Sequence, residues 1–226
     1  MLRRGLIWAG VIAVILGLAG VFGWRFAVNW APTRTDYAVQ GIDVSEASGT
    51  VDWMTVKARD VDFAYARATE GAAVRDARFA QNWAEIEAAG LRRGAIHVFS
   101  LCGPADEQAG AFVATVPRDP EALPAAIDLA FHESCPARPS RDVVLTEIRR
   151  LAAVIETHSG KPAILRVAPA FEEQYQVSGA IPRPLWSTGF FRKPEYFARP
   201  WAMWQSSTIR RIDGIEQPVN WNVVAP

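Results

Sequence analysis

The chain has 226 residues, half of them apolar, with 24 basic and 24 acidic side chains. That length supports one sizeable core, or an anchor plus one domain, and a single domain is the simpler reading. Balanced charge without a basic run excludes a sequence-independent nucleic-acid binder, which needs an excess of Lys and Arg to neutralise phosphates.

Met1–Arg4 is short and basic, Gly5 to Trp24 carries no charge, and Arg25 ends the stretch. About 20 apolar residues rising about 1.5 Å each span the hydrocarbon core of a bilayer. A cleavable leader has a shorter apolar region and a small-x-small cleavage site, and no such site stands between Phe26 and Thr35. Residues 5–25 are therefore expected to be an uncleaved signal anchor and transmembrane helix, with residues 1–4 cytoplasmic by the positive-inside tendency of Arg3 and Arg4. The body of the chain is then expected in the periplasm, on a single pass of the inner membrane, or secreted if the segment is removed. Residues 26–38, with a proline and no apolar period, read as a linker, and the domain as 39–226.

Short apolar runs follow at Val39–Val44, Phe63–Ala68, Gly94–Phe99, Leu123–Leu129 and Pro162–Val167. Between them lie helical patterns: Phe79, Trp83, Ile86 and Ala89 before Gly90, and Leu145, Ile148, Ala152 and Ile155 before Gly160. Strand and helix alternating in this way imply parallel pairing by right-handed crossovers. The last third, with strands at Pro182–Ser187, Trp201–Ser206 and Gln217–Val223, has little helix between them. The expected fold is α/β: a TIM-like (β/α) barrel closed mostly by β-strands and preceded by one transmembrane helix.

Cys102 and Cys135 each follow an apolar run read as a barrel strand, and outside the cytoplasm they are free to pair. A disulfide and two separate buried thiols are both open at this stage, because sequence does not give the Cα separation.

In a parallel barrel, function gathers where the strands end at their C-terminal edge. Asp43 closes the first strand, Glu70 follows the second, and Asp128 sits inside the apolar run Ala125–Ala130. A carboxylate there is costly to bury without a partner or a task. His132 and His158 lack metal-ligand spacing, so neither a metal nor another cofactor is expected. Trp186, Trp201, Trp204 and Trp221 offer either flat faces for sugar rings or core packing.

Several of these residues fall into motifs. Gly41-Ile42-Asp43-Val44-Ser45, Val51-Asp52-Trp53, Ala68-Thr69-Glu70-Gly71, Gly94-Ala95-Ile96-His97, Leu123-Pro124 before Asp128, Trp204-Gln205 and Asp213-Gly214-Ile215 occur in that order. From about Gly41 to Asn222 the chain resembles glycoside hydrolase family 25, the Chalaropsis-type lysozymes. The resemblance implies a muramidase fold acting on the β-1,4 bond between N-acetylmuramic acid and N-acetylglucosamine, with peptidoglycan glycan strands as partner; it names no protein partner. It assigns Asp43 and Asp128 as retained catalytic acids and His97, Trp204 and Asn220 as substrate-binding residues. The family's Asp-x-Glu pair reads Asp128-Leu129-Ala130 here, so the proton donor is replaced by a methyl group. Two further departures fall in the same site: Arg166 stands where a tyrosine is expected, and Asn220 where an aspartate is. Glu133 and Glu70 are the candidate substitute acids. Two functions follow, a weakened lysozyme and a glycan- or partner-binding pseudoenzyme.

Overall fold

The computed structural model describes residues 2–226, and Met1, the start of the expected basic segment, lies outside the described residues. Helix α1 (Leu2–Asn29) is rich in Leu, Ile, Val and Ala and meets no proline until Pro32. It therefore runs past Arg25 to Asn29, taking in the first part of the expected linker. Its Gly10–Asn29 stretch is long and apolar enough to cross a membrane, with a mean hydropathy of 2.1 and only 6% of it buried.

The remaining elements are β1 (Gln40–Val44), α2 (Trp53–Lys57), β2 (Phe63–Glu70), β3 (Val74–Arg75), α3 (Phe79–Ala88), β4 (Arg92–Val98), α4 (Ala105–Thr115) and β5 (Ala126–Leu129). There follow α5 (Arg141–Ser159), β6 (Ile164–Val167), α6 (Pro169–Tyr175), α7 (Val177–Ala180), β7 (Leu185–Thr188), β8 (Met203–Arg210) and β9 (Val219–Val224). The sheet order β1-β9-β8-β7-β6-β5-β4-β2 closes on itself through a β1–β2 pairing, giving an eight-stranded barrel. All its neighbours are parallel except β9, which runs antiparallel to both β8 and β1. The β7–β8 and β8–β9 connections contain no α-helix, so the barrel closes with strands as the sequence suggests. Helix α4 was not anticipated. Its buried face is made of Ala105, Gln108, Ala109 and Ala111 with Phe112 the one large apolar side chain, too faint an apolar stripe to read.

Two apolar layers hold this together. Phe63, Tyr65, Ile96, Ala126, Ile164, Trp186 and Met203 fill the barrel interior. The other strand faces pack outward against the helices through Ile42, Ala64, Ile127, Leu165, Leu185, Ile86, Ile148 and Ile155. Successive strand residues point to opposite sides, so the alternation inside each strand decides which layer a residue joins. Gly94 is needed inside because a Cβ there would fall 2.3 Å from the Tyr65 ring.

A disulfide joins Cys102, in the loop after β4, to Cys135, in the loop after β5, with their Cα atoms 5.8 Å apart. Cross-linking residues 33 apart stabilises the fold by about 3–4 kcal/mol on the chain-entropy account.

Candidate active site

The barrel mouth at the C-terminal ends of the parallel strands holds a cavity of about 240 Å³. Asp43, Ser45, Ser48, Arg67, Val98, Asp128, His132, Arg166 and Asn220 are among the residues lining it. Register explains why these side chains meet. Val98 pairs with Asp128, Asp128 with Arg166, and Arg166 with Trp186, so all four share the inner face. Asp43 pairs with Asn220 across β1 and β9.

Arg166 occupies the centre. Its Nε and Nη2 donate to the two oxygens of Asp128 at 2.9 and 2.8 Å, and its Nη1 donates to Asp43 at 3.0 Å. The guanidinium also lies over the Trp186 ring, 4.9 Å from its centroid. Burial opposes its charge, but the Asp128 and Asp43 carboxylates outweigh that and hold its proton more tightly than in an ordinary arginine. Asp43 accepts further bonds from Asn220 Nδ2 at 2.7 Å and Asn222 Nδ2 at 2.8 Å. Both carboxylates are thus occupied: Asp128 by a two-pronged Arg contact, Asp43 by three donors.

The other expected residues are placed as follows. Asn220 is in the cleft, and Ala130 follows the end of β5, two residues beyond Asp128. Glu70 is paired with Arg67, and Glu133 is exposed on the loop closed by the disulfide; neither lines the cavity. His97 and Trp204, expected to bind substrate, lie outside the cleft. Each neighbours an inward-facing residue, Val98 and Gln205, so the pleat turns it outward. Trp204 donates its Nε1 proton to the Gly189 carbonyl at 2.7 Å and packs near Trp30, Tyr37 and Trp201. Trp221 bonds Gln40, so of the four tryptophans only Trp186 lies in the barrel interior.

His97 is fully buried between Thr69 and Gln108. Gln108 donates through Nε2 to the Ser100 and Gly103 carbonyls, which fixes its Oε1 as an acceptor. His97 Nε2 therefore carries the ring proton and Nδ1 accepts from the Thr69 hydroxyl. Burial pushes its pKa down to about 4, against the opposing pull of Gln108 and Asp128, so the ring is neutral.

Arg67 and His132 complete the cleft and were not singled out as site residues. Arg67 carried a readable signal, a charge within the apolar run Phe63–Ala68. His132 reaches the mouth only because its loop is drawn over it, and its Nε2 has no partner there among the described residues. Nor do the described residues contain a cluster of His, Cys, Asp and Glu that could hold a metal ion.

Comparison with known proteins agrees with this architecture. The Escherichia coli K12 protein YegX is 32% identical over 209 residues, covering 89% of this chain and 75% of its own length. Lysozyme M1 of Streptomyces globisporus is 29% identical over 211 residues, covering 81% of this chain and 67% of its own. Among solved structures, a family 25 glycosyl hydrolase from Bacillus anthracis superposes with a TM-score of 0.77 at 30% identity, over 87% of this chain and 92% of that one. The sequence profile described as glycosyl hydrolases family 25 matches residues 42–215, most of the barrel, and the chain belongs to that family.

Proposed function

We propose that this chain is a membrane-anchored, lysozyme-like domain that holds peptidoglycan glycan strands at the cell envelope, with hydrolysis weak or lost. The observation that carries the reading is Arg166, forked between Asp43 and Asp128. Cleaving a glycosidic bond by paired carboxyls needs one to give a proton to the leaving oxygen and another free to face the anomeric carbon. Ala130, two residues past Asp128, has no proton to give. Both oxygens of Asp128 are engaged by a cation, which opposes the positive charge that develops on the sugar ring. What persists is a polar cleft lined by Asn220, Ser45, Ser48, Arg67 and His132, suited to hydrogen-bonding a sugar.

Retained catalysis through another acid is less well supported, since Glu70 is tied to Arg67 and Glu133 stands outside the cavity. Helix α1 and the disulfide together support a compartment outside the cytoplasm. A segment apolar enough to span a bilayer, with Arg3 and Arg4 before it, supports a barrel in the periplasm on a single-pass anchor in the inner membrane. A disulfide persists in such an oxidising space.

The test measures turbidity loss and released reducing ends from purified peptidoglycan, alongside co-sedimentation with it. The natural chain is expected to sediment with the polymer and release nothing. Ala130→Glu alone should add little, because Arg166 still occupies Asp128. Ala130→Glu with Arg166→Tyr should raise the rate by about 10²- to 10⁴-fold, the range associated with one general acid. Hydrolysis by the natural chain that neither substitution increases would overturn the proposal.

A further inference from the structure

Helix α1 joins the barrel at the same rim that carries the cleft. The Arg211 amide donates to the Val28 carbonyl at 2.8 Å, and the Arg210 guanidinium to the Asn29 carbonyl. Arg210 ends β8 and pairs in the ladder with Val219, the neighbour of the cleft residue Asn220. Val28 is buried in this junction, and Trp30 packs edge-on against Phe191 with ring centroids 4.9 Å apart.

The surface beside that junction is apolar and basic. Phe190 and Phe191 are 56% and 42% exposed; Arg192 and Lys193 follow them in the chain and are exposed, Lys193 over the Trp201 ring, and Arg211 is exposed at the junction with α1. Arg192 and Arg211 form no ion pair or side-chain hydrogen bond among the described residues. Phe191 has a φ of 59°, a conformation that bulky side chains disfavour. Two adjacent exposed phenyl rings with free cations beside them would be a liability in open solvent, but they suit a membrane–water interface.

Depth decides where this tip lies. If residues 5–25 cross the hydrocarbon core, Trp30 lies five residues or about 7–8 Å beyond Arg25, at the outer side of the headgroup layer, which is about 5–7 Å thick on each side. A ring 4.9 Å from Trp30 lies at nearly the same level whatever the tilt of the barrel. We propose that the Phe190–Lys193 tip is a second membrane contact, resting in the headgroup layer of an anionic bilayer beside the exit of α1. The two rings enter the interface and the cations face lipid phosphates. The contact fixes the barrel with its cleft rim near the bilayer. The inference rests on reading α1 as a membrane span.

The test uses the full chain in liposomes of phosphatidylcholine, with and without phosphatidylglycerol, carrying a trace of phospholipid with a photoreactive group near its headgroup. Adducts are mapped by peptide mass spectrometry. Adducts are expected on both α1 and residues 190–193, the latter several-fold more abundant when phosphatidylglycerol is present. Phe190→Ser with Phe191→Asn, in which Asn tolerates the positive φ, should remove the tip adducts and leave those on α1, with the thermal midpoint retained. Arg192→Glu with Arg211→Glu keeps both rings and should abolish the dependence on phosphatidylglycerol. Adducts on α1 alone, or a tip signal unchanged in both variants, would overturn the second contact. Absence of adducts on α1 would instead sink the membrane-span reading on which it rests.

Discussion

The two faces of β4, one residue apart at Val98 and His97, meet buried polar groups of opposite character. On the inner face, Val98 stands beside Asp128, Arg166 and Asp43, a charged set at the barrel mouth. On the outer face, His97 is held by Thr69 and Gln108 beneath α4 and is neutral. The pleat sends neighbours to different environments, and the environment then selects the charge state. Charge is tolerated at the mouth, where donors and acceptors surround it and the rim meets water. In the seam between barrel and helix the pull of Gln108 and Asp128 does not make up for desolvation, so the imidazole stays uncharged.

The charged side of this comparison breaks most severely. Arg166→Leu would leave two buried carboxylates without their cation, and breaking such an arrangement costs about 3–5 kcal/mol. The expected result is a lowered urea midpoint with an unchanged slope. Adding Asp43→Asn and Asp128→Asn should recover much of the loss by removing the uncompensated charges. Equal stability of the single and triple variants would mean that Arg166 acts through its packing on Trp186 rather than through charge.

The neutral side is sharpened by pH. His97 titrates near its ordinary value of 6.5 in the unfolded chain but at about 4 in the fold. Between those values the unfolded state binds more protons, so stability rises with pH through the window. Its contribution is complete above pH 6.5 and lost as pH falls towards 4, a total of about 3 kcal/mol at 1.36 kcal/mol per pKa unit. Urea midpoints measured across that window should show the decline, and His97→Gln should flatten it. A slope surviving the substitution would move the proton uptake to another group.

Much of this was legible in the sequence, for reasons the same contrast makes clear. The strand runs, the β-only closure and the convergence of Asp43 and Asp128 follow from alternation and chain order, which one sequence carries. Asn220 was read from the resemblance, as a departure from an expected aspartate, and its position in the cleft comes from its pairing with Asp43. His97 and Trp204 were misplaced because position at a strand end does not give parity, and parity needs the register with a neighbouring strand. Arg166 was read as a departure from pattern, but its grip on both acids depends on strands far apart in the chain, β1, β5 and β6, closing into one barrel. Helix α4 escaped because alanines pack closely without a strong apolar signature.

Trp204 provides the smallest and most pointed test of parity. Trp204→Phe keeps the aromatic ring but removes the donor to the Gly189 carbonyl, a loss of about 1 kcal/mol for a buried hydrogen bond. Because the indole lies outside the barrel among Trp30, Tyr37 and Trp201, co-sedimentation with peptidoglycan should be unaffected. Asn220→Ala, one strand away and inside the mouth, should weaken co-sedimentation while also releasing one of the donors on Asp43. If the two variants lost glycan binding equally, the outer aromatic cluster would have to contribute a sugar platform, and the division between inner recognition and outer packing would fail. If only Asn220→Ala does so, the alternation of β8 and β9 separates the residues that meet glycan from those that hold the barrel to its anchor.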